Sequence, residues 1–295
     1  MIKRTLYFCN EAYLSTQKQR LLVRYPNTEE FKSVPIEDIG LIILDHYRLT
    51  LTSTLLNKLL GNNVAVISCD AQHLPLGMFL NLNGHSLQQE HFAKQIAVSQ
   101  AKKDRLWKQV IQAKISNQAF LLAQQGHLSP KLNRLAKQVK NGDSENLEAQ
   151  AASYYWKNLF GTQKFVRERY GEAPNGLLNY GYTILRGVVA RGLVGSGLLP
   201  TLGIHHHNKY NAYCLADDIM EPYRPFVDQL VIYLMERGEE SLTQESKQVL
   251  LKIPTLDIMI NRQKSPLMLA VQQTTASLQQ CYSDQRKTLK LPTFV

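Results

Sequence analysis

The hydrophobic pattern of this chain changes period once, and that change limits what it can fold into. Through about residue 70 the apolar residues fall in short runs punctuated by turn residues; from residue 87 they recur at helical spacing. The early runs, at 5–9, 13–16, 19–25, 31–34, 40–44 and 64–67, predict strands, with 13–16 and 19–25 joined as a hairpin around Gln17 and Lys18. Leu41-Ile42-Ile43-Leu44 is apolar on both faces, so its strand belongs in the middle of a sheet. One helix is expected among them at 50–60, where Leu51, Leu55, Leu56, Leu59 and Leu60 form a stripe that Gly61-Asn62-Asn63 ends.

Between the two regimes the periodicity is lost, and Pro75, Gly77, Asn81, Asn83 and Gly84 mark an extended connection. The expected architecture is therefore α+β. A small N-terminal β-rich, β-sandwich-like domain covers residues 1–76, a linker 77–88, and a larger all-α C-terminal domain 89–295. Long helical segments are expected across 87–125, with Lys102, Lys103, Arg105, Lys108 and Lys114 on the polar positions, and a short basic helix across 131–140.

Lys and Arg number 34 against 24 Asp and Glu, a formal charge of +10. That excess favours a polyanionic partner, because each neutralised phosphate releases condensed counterions; a basic protein with no anionic partner is the plainer reading. The four cysteines, Cys9, Cys69, Cys214 and Cys281, form no C-x-x-C pair. This excludes a zinc knuckle or thioredoxin-type motif and fits a reduced, cytoplasmic protein. The apolar run after the basic start is too short for a signal segment. The most membrane-like stretch, 184–204, is broken by Arg186, Arg191 and Pro200 and reads as a buried helix.

Three places carry chemistry. After Gly142, Asp143 or Ser144 can cap a new helix in which Glu148 lies about one turn in, beside Ala149, Ala151 and Ala152, small enough for another helix or a nucleic-acid backbone to come close. A solvated helix glutamate is the alternative. The run His205-His206-His207 follows a turn rich in Gly and Pro; successive imidazoles face different ways, so one ligand is expected from the three, or else a capping or core role. Asp218 and Glu221 are spaced to share a helix face, where two like charges call for a cation between them, a hard divalent ion being the natural one. The competing reading is a solvated acidic turn, and Pro222 biases Glu221 away from helix. Arg167, Arg169, Arg186, Arg191, Lys209 and Arg224 suit phosphate recognition, or internal pairing with Glu168, Glu172 and Asp228. No G-x-x-x-x-G-K-[ST] loop is present, which argues against a nucleotide hydrolase.

Glu148 in an E-A-x-A-A-type helix, the Leu178-Asn179-Tyr180-Gly181-Tyr182 run, Leu202-Gly203-Ile204-His205-His206, and 215–225 with Asp217-Asp218-Ile219-Met220-Glu221-Pro222-Tyr223-Arg224-Pro225 occur in that order. In this the chain resembles the CRISPR-associated spacer-acquisition endonuclease/integrase, the first of the two universal adaptation proteins. The L-N-Y-G-Y and His-His-x-Asn forms resemble the variety that accompanies single-effector (type II) systems. The resemblance implies that Glu148, His206 (with His205 as rival) and Glu221 hold a catalytic Mg²⁺ or Mn²⁺, with Asp218 as a possible supporting acid. Glu221 stands where many relatives carry Asp. It implies a β-rich dimerisation domain and a helical catalytic domain, a homodimer, and a complex with the small ferredoxin-like second adaptation protein and possible further CRISPR proteins, with no membrane partner. The implied reaction is attack by the 3′-hydroxyl of a captured DNA duplex on a phosphodiester of the repeat array, a transesterification serving antiviral defence. The DNA contacts expected with it are Arg167, Arg169, Arg186, Lys209 and Arg224. A non-catalytic DNA-binding scaffold of the same complex is the alternative function.

Overall fold

The computed structural model describes residues 3–26, 28, 31–71, 73–127, 129–160, 165–168 and 171–295. The chain divides into two compact units, Met1–Gln88 and Gln89–Val295. The first contains β1 (Arg4–Phe8), β2 (Ala12–Gln17), β3 (Arg20–Arg24), β4 (Phe31–Pro35), β5 (Ile39–Leu44), β6 (Leu49–Leu51), α1 (Ser53–Gly61), β7 (Ala65–Cys69) and β8 (Pro75–Phe79). They build two four-stranded sheets, β1-β5-β7-β8 and β4-β3-β2-β6. Leu14, Leu21 and Val23 from one sheet, Ile39, Ile42 and Val66 from the other, and Leu55 and Leu59 of α1 share a core. In β5, Ile39 to Ile43 are buried throughout, as a central strand flanked on both sides requires.

Several boundaries differ from expectation for identifiable reasons. The hairpin turn falls on Lys18 and Gln19, both at positive φ (46° and 59°), one residue later than the sequence suggests; two left-handed residues match the twist of the strands. The helix expected from residue 50 starts at Ser53, because Leu49–Leu51 pairs with β2 and Thr52 caps α1, its hydroxyl accepting from Leu55 N–H. The expected linker over 77–88 begins too early: Pro75–Phe79 pairs antiparallel with β7. This edge strand tolerates Pro and Gly, which is why its composition reads as loop.

The second unit carries α2 (Gln88–Ala97), α3 (Gln100–Gln124), α4 (Pro130–Gln138), α5 (Leu147–Leu159), α6 (Asn175–Gly195), α7 (Cys214–Met220), α8 (Arg224–Glu236), α9 (Gln244–Leu250), β9 (Asp257–Ile260), β10 (Gln263–Pro266), α10 (Leu267–Tyr282) and β11 (Pro292–Thr293). It is not all-α: β10-β9-β11 form a small antiparallel sheet. Asn261 and Arg262, again at positive φ, make its hairpin, and Ile258 and Ile260 alternate inward. Four-residue and shorter strands amid helical periodicity leave little pattern to read.

Helix α6 lies deep, with sixteen buried residues from Asn175 to Val194. Gly181 and Gly192 let neighbours in: a Cβ at Gly181 would stand 2.5 Å from a Val227 methyl, and one at Gly192 3.0 Å from Val271. Around it, α5, α6 and α8 are tied by one buried carboxylate. Asp228 accepts from Tyr155 at 2.7 Å and from Tyr182 at 2.5 Å. Burial lifts its carboxyl to about 6, against the two tyrosine hydroxyls, Arg224 and Arg167, which pull it down. A carboxyl that holds its proton more tightly folded than unfolded stabilises the fold below its ordinary value of 3.8 and loses that contribution as pH rises through about 6. Asp228→Asn, which cannot ionise, removes this dependence. Its unfolding free energy relative to wild type, read by denaturant titration, is expected to improve between about pH 4 and about pH 7 by a swing on the order of 2–3 kcal/mol; a constant difference across that range contradicts the account.

Candidate functional site

Helix α3 brings a lysine to the interior. Its buried face runs Val110, Ile111, Lys114, Ile115, Asn117, Gln118 and Leu121, so Lys114 is not on the polar side where its type suggested. Its Nζ lies 2.6 Å from Glu148 Oε1 and 2.6 Å from Glu221 Oε2. Only the first contact is an aligned hydrogen bond; Glu221 Oε2 is buried and paired by charge without a well-directed N–H. The other Glu221 oxygen accepts from Arg224 Nε at 2.8 Å.

Local sequence explains how the two acids arrive there. Asp143 accepts from the N–H groups of Leu147 and Glu148, both at 2.9 Å, and so caps α5 as expected. Glu148 is consequently fixed in the first turn, nearer the helix start than expected. Glu221 opens a 3₁₀ turn, Glu221–Tyr223, between α7 and α8. Its backbone is helical despite Pro222, whose missing N–H falls in a first turn that has no use for it. Asn117 of α3 holds this turn, donating to Pro222 O at 2.8 Å and Pro292 O at 3.1 Å. Burial alone would push the Glu221 carboxyl up, but Arg224 and Lys114 hold it down at about 2. For Lys114, burial is likewise overcome by Glu221 and Glu148, and its ammonium is held above the usual value.

The histidine loop is organised by Asp218, whose side chain is inaccessible to solvent. Its carboxylate accepts from the backbone N–H of Ile204 (2.6 Å), His205 (2.9 Å) and His206 (3.3 Å) and pairs with His206 Nδ1 at 2.5 Å. Gly203 makes the approach possible: a Cβ there would lie 2.4 Å from His206 O and 2.8 Å from Asp218 Oδ2. The Gln95 side chain pins the preceding turn through Leu199 N, Leu199 O and Leu202 O. His205 stacks on Trp107 (4.3 Å, 2°), and His206 meets the same ring edge-on (5.7 Å, 88°). The Asp218 hydrogen bond raises His206 against the opposing effect of burial, with smaller contributions from Glu221 and Glu148. Nδ1 is thereby committed, and Nε2 is the nitrogen left for a ligand or a proton.

Among the described residues no three His, Cys, Asp or Glu side chains converge as a metal cage. Glu148 and Glu221 meet across Lys114, and His206 is held by Asp218. The expectation that Asp218 and Glu221 share a cation is corrected: Asp218 turns to the loop and Glu221 to α3. The donor set still suits a divalent ion, since two carboxylates already surround one positive charge and one of their oxygens lacks a directed hydrogen bond. Asp217 accepts from Arg186 Nε (2.6 Å) and Asn211 (2.7 Å). Arg167 donates to Glu168 O, Asn175 and Asn179, and Arg224 stacks over Tyr182 at 4.5 Å. Of the expected DNA contacts, Arg186 and Arg224 are thus engaged in ion pairs, Lys209 is exposed over Tyr210, and Arg169 lies outside the described residues. Lys114, Trp107 and Asn117 were not singled out for the site from the sequence. For Lys114 a signal existed, since it continues the stripe of Val110, Ile111 and Ile115.

Residues 6–263 match the family model described as CRISPR associated protein Cas1. The chain is 38% identical to the CRISPR-associated endonuclease Cas1 of Neisseria meningitidis serogroup C (strain 8013), over 99% of this chain and 96% of that protein. It is 28% identical to CRISPR-associated endonuclease Cas1 1 of Francisella tularensis subsp. novicida (strain U112), over 76% of each. In fold it is similar to a casposase bound to integration product (TM-score 0.76, 19% identity, 98% of this chain and 92% of that one) and to a CAS1 protein from Thermotoga maritima (TM-score 0.76, 16% identity, 95% and 97%). A chain of a Cas6-RT-Cas1–Cas2 complex has the same fold over 97% of this chain and 35% of its own length (TM-score 0.73, 19% identity). The chain therefore belongs to the CRISPR-associated Cas1 family.

Proposed function

We propose that this protein is a Mg²⁺- or Mn²⁺-dependent DNA endonuclease and integrase that inserts captured DNA fragments into a CRISPR array. The observation that carries the reading is the clasp of Glu148 and Glu221 around one buried positive charge. Glu148, Glu221 and His206 Nε2 would hold the ion. When bound, it polarises a phosphoryl oxygen and stabilises the departing 3′-oxygen. The chain's own part is positioning and proton handling. Arg224 keeps Glu221 ionised. Asp218 fixes the imidazole by Nδ1, so that a proton given or taken at His206 passes through Nε2. Water in place of the 3′-hydroxyl gives endonuclease cleavage by the same arrangement.

The partners proposed are DNA duplexes with 3′-hydroxyl ends, a second copy of this chain, and the small second adaptation protein. The basic balance of +10 supports the first, and the occurrence of this fold in a Cas6-RT-Cas1–Cas2 complex supports the last. A setting in the cytoplasm accords with the finding that, among the described residues, no helix is long and apolar enough to cross a membrane. A scaffold that binds DNA without catalysis is the rival reading, and it predicts no divalent-dependent strand transfer from the wild-type protein.

Glu148→Ala is expected to abolish integration of a 3′-hydroxyl duplex into supercoiled DNA while leaving DNA affinity near wild type; full activity in that variant overturns the site. The two histidines separate in the same assay. His206→Ala should slow strand transfer by about 100-fold or more, the usual scale of a lost acid–base or ligand group. His205→Ala should cost less, because its ring packs on Trp107. Equal, mild losses would sink the choice of His206.

A further inference from the structure

The Lys114 ammonium is an unusual neighbour for two acids proposed to hold a metal, and its side chain is only 11% exposed. We propose that Lys114 is the resident cation of this site: it holds Glu148 and Glu221 together and withdraws when a divalent ion takes its place. The inference rests on the metal-dependent reading above and concerns how that site is loaded.

Charge counting supports displacement. Glu148, Glu221 and Asp218, the last paired with His206, bring three carboxylates, and Lys114 and Arg224 two positive charges. A divalent ion added to them beside a neutral His206 would leave an uncompensated positive charge in a largely buried place, which is unfavourable. Removing the ammonium relieves that excess. Of the two cations, only lysine is free to leave. Arg224 is held by its Nε bond to Glu221 and by the Tyr182 ring at 4.5 Å, whereas a lysine ammonium rides on a flexible four-carbon stem. The contact to Glu221 Oε2 is close, at 2.6 Å, but undirected, whereas that to Glu148 Oε1 is an aligned hydrogen bond.

Two consequences follow physically. The acids are pre-positioned before any ion arrives, since without a cation their repulsion would spread them. The ion's apparent affinity is reduced by the fraction of molecules in which lysine has let go.

The test uses the full chain without DNA, reading Mn²⁺ binding by calorimetry and the Mn²⁺-induced rise in thermal midpoint. Lys114→Met should melt lower than wild type without metal, show a larger Mn²⁺-induced rise, and bind Mn²⁺ about tenfold or more tightly. Lys114→Arg, which keeps the charge, should stay near wild-type affinity. A purely structural lysine would lower the midpoint but would not tighten metal binding. If wild type binds Mn²⁺, Glu148→Ala does not, and Lys114→Met binds no tighter than wild type, this inference falls and the metal reading stands. If neither wild type nor Lys114→Met binds, both fall. Should Lys114→Met fail to fold, acetylation of wild type by a water-soluble N-hydroxysuccinimide ester, mapped by peptide mass spectrometry, decides. Mn²⁺ should raise labelling at Lys114 relative to Lys102, and unchanged labelling overturns the proposal.

Discussion

The site depends on placing two carboxylates and two cations together inside a protein, where any one of them alone would be costly. Desolvation of a charge costs several kcal/mol and is recovered only by close, well-made pairing. Glu221 shows the balance: burial raises its proton affinity, yet Arg224 and Lys114 more than reverse it. Because the four groups come from α3, α5 and the junction of α7 and α8, satisfying them also fixes how those elements pack. Asn117, one turn from Lys114 on the same helix, reinforces the junction through the Pro222 carbonyl.

A second carboxylate solves a different problem. Where the loop before α7 turns after Gly203, three successive backbone N–H groups point the same way, and Asp218 accepts from all three. The same oxygens set the His206 ring, so backbone order and imidazole orientation are a single arrangement. Gly203 belongs to it because no side chain fits where the carboxylate meets the turn. The Trp107 ring closes the other side, flat against His205 and edge-on to His206.

Much of this was legible in the sequence where residue type and spacing determine structure. Strands β1 to β5 and β7 announced themselves by apolar runs between turn residues, and the helical regime by its period. Edge and short strands did not: β6 and β8 carry Thr, Pro or Gly that an edge tolerates, and β9–β11 are too brief to show alternation. For the proposed site, Glu148, His206 and Glu221 are named by the resemblance of their motifs to the family, since residue type and spacing alone leave a solvated glutamate, a capping or core histidine and an acidic turn as alternatives. Lys114 could not be named, because polarity predicts exposure and only its place in the stripe of Val110, Ile111 and Ile115 contradicts that. The pairing of Asp218 with Glu221 failed for another reason. Spacing on a helix states which residues share a face, but not which partner reaches each of them first.

That last point governs α7 as a whole. Asp217, Asp218 and Glu221 lie within five positions, yet each is claimed by a different neighbour: Arg186 on α6, the histidine loop, and Lys114 with Arg224. Successive residues on a helix rotate by about 100°, so three acids on one short segment can face three directions without repelling one another at contact distance. A dense acidic cluster in sequence is thereby converted into three separate tasks. One anchors the helix, one shapes the loop that presents an imidazole, and one faces the buried charge where the chemistry is proposed to occur.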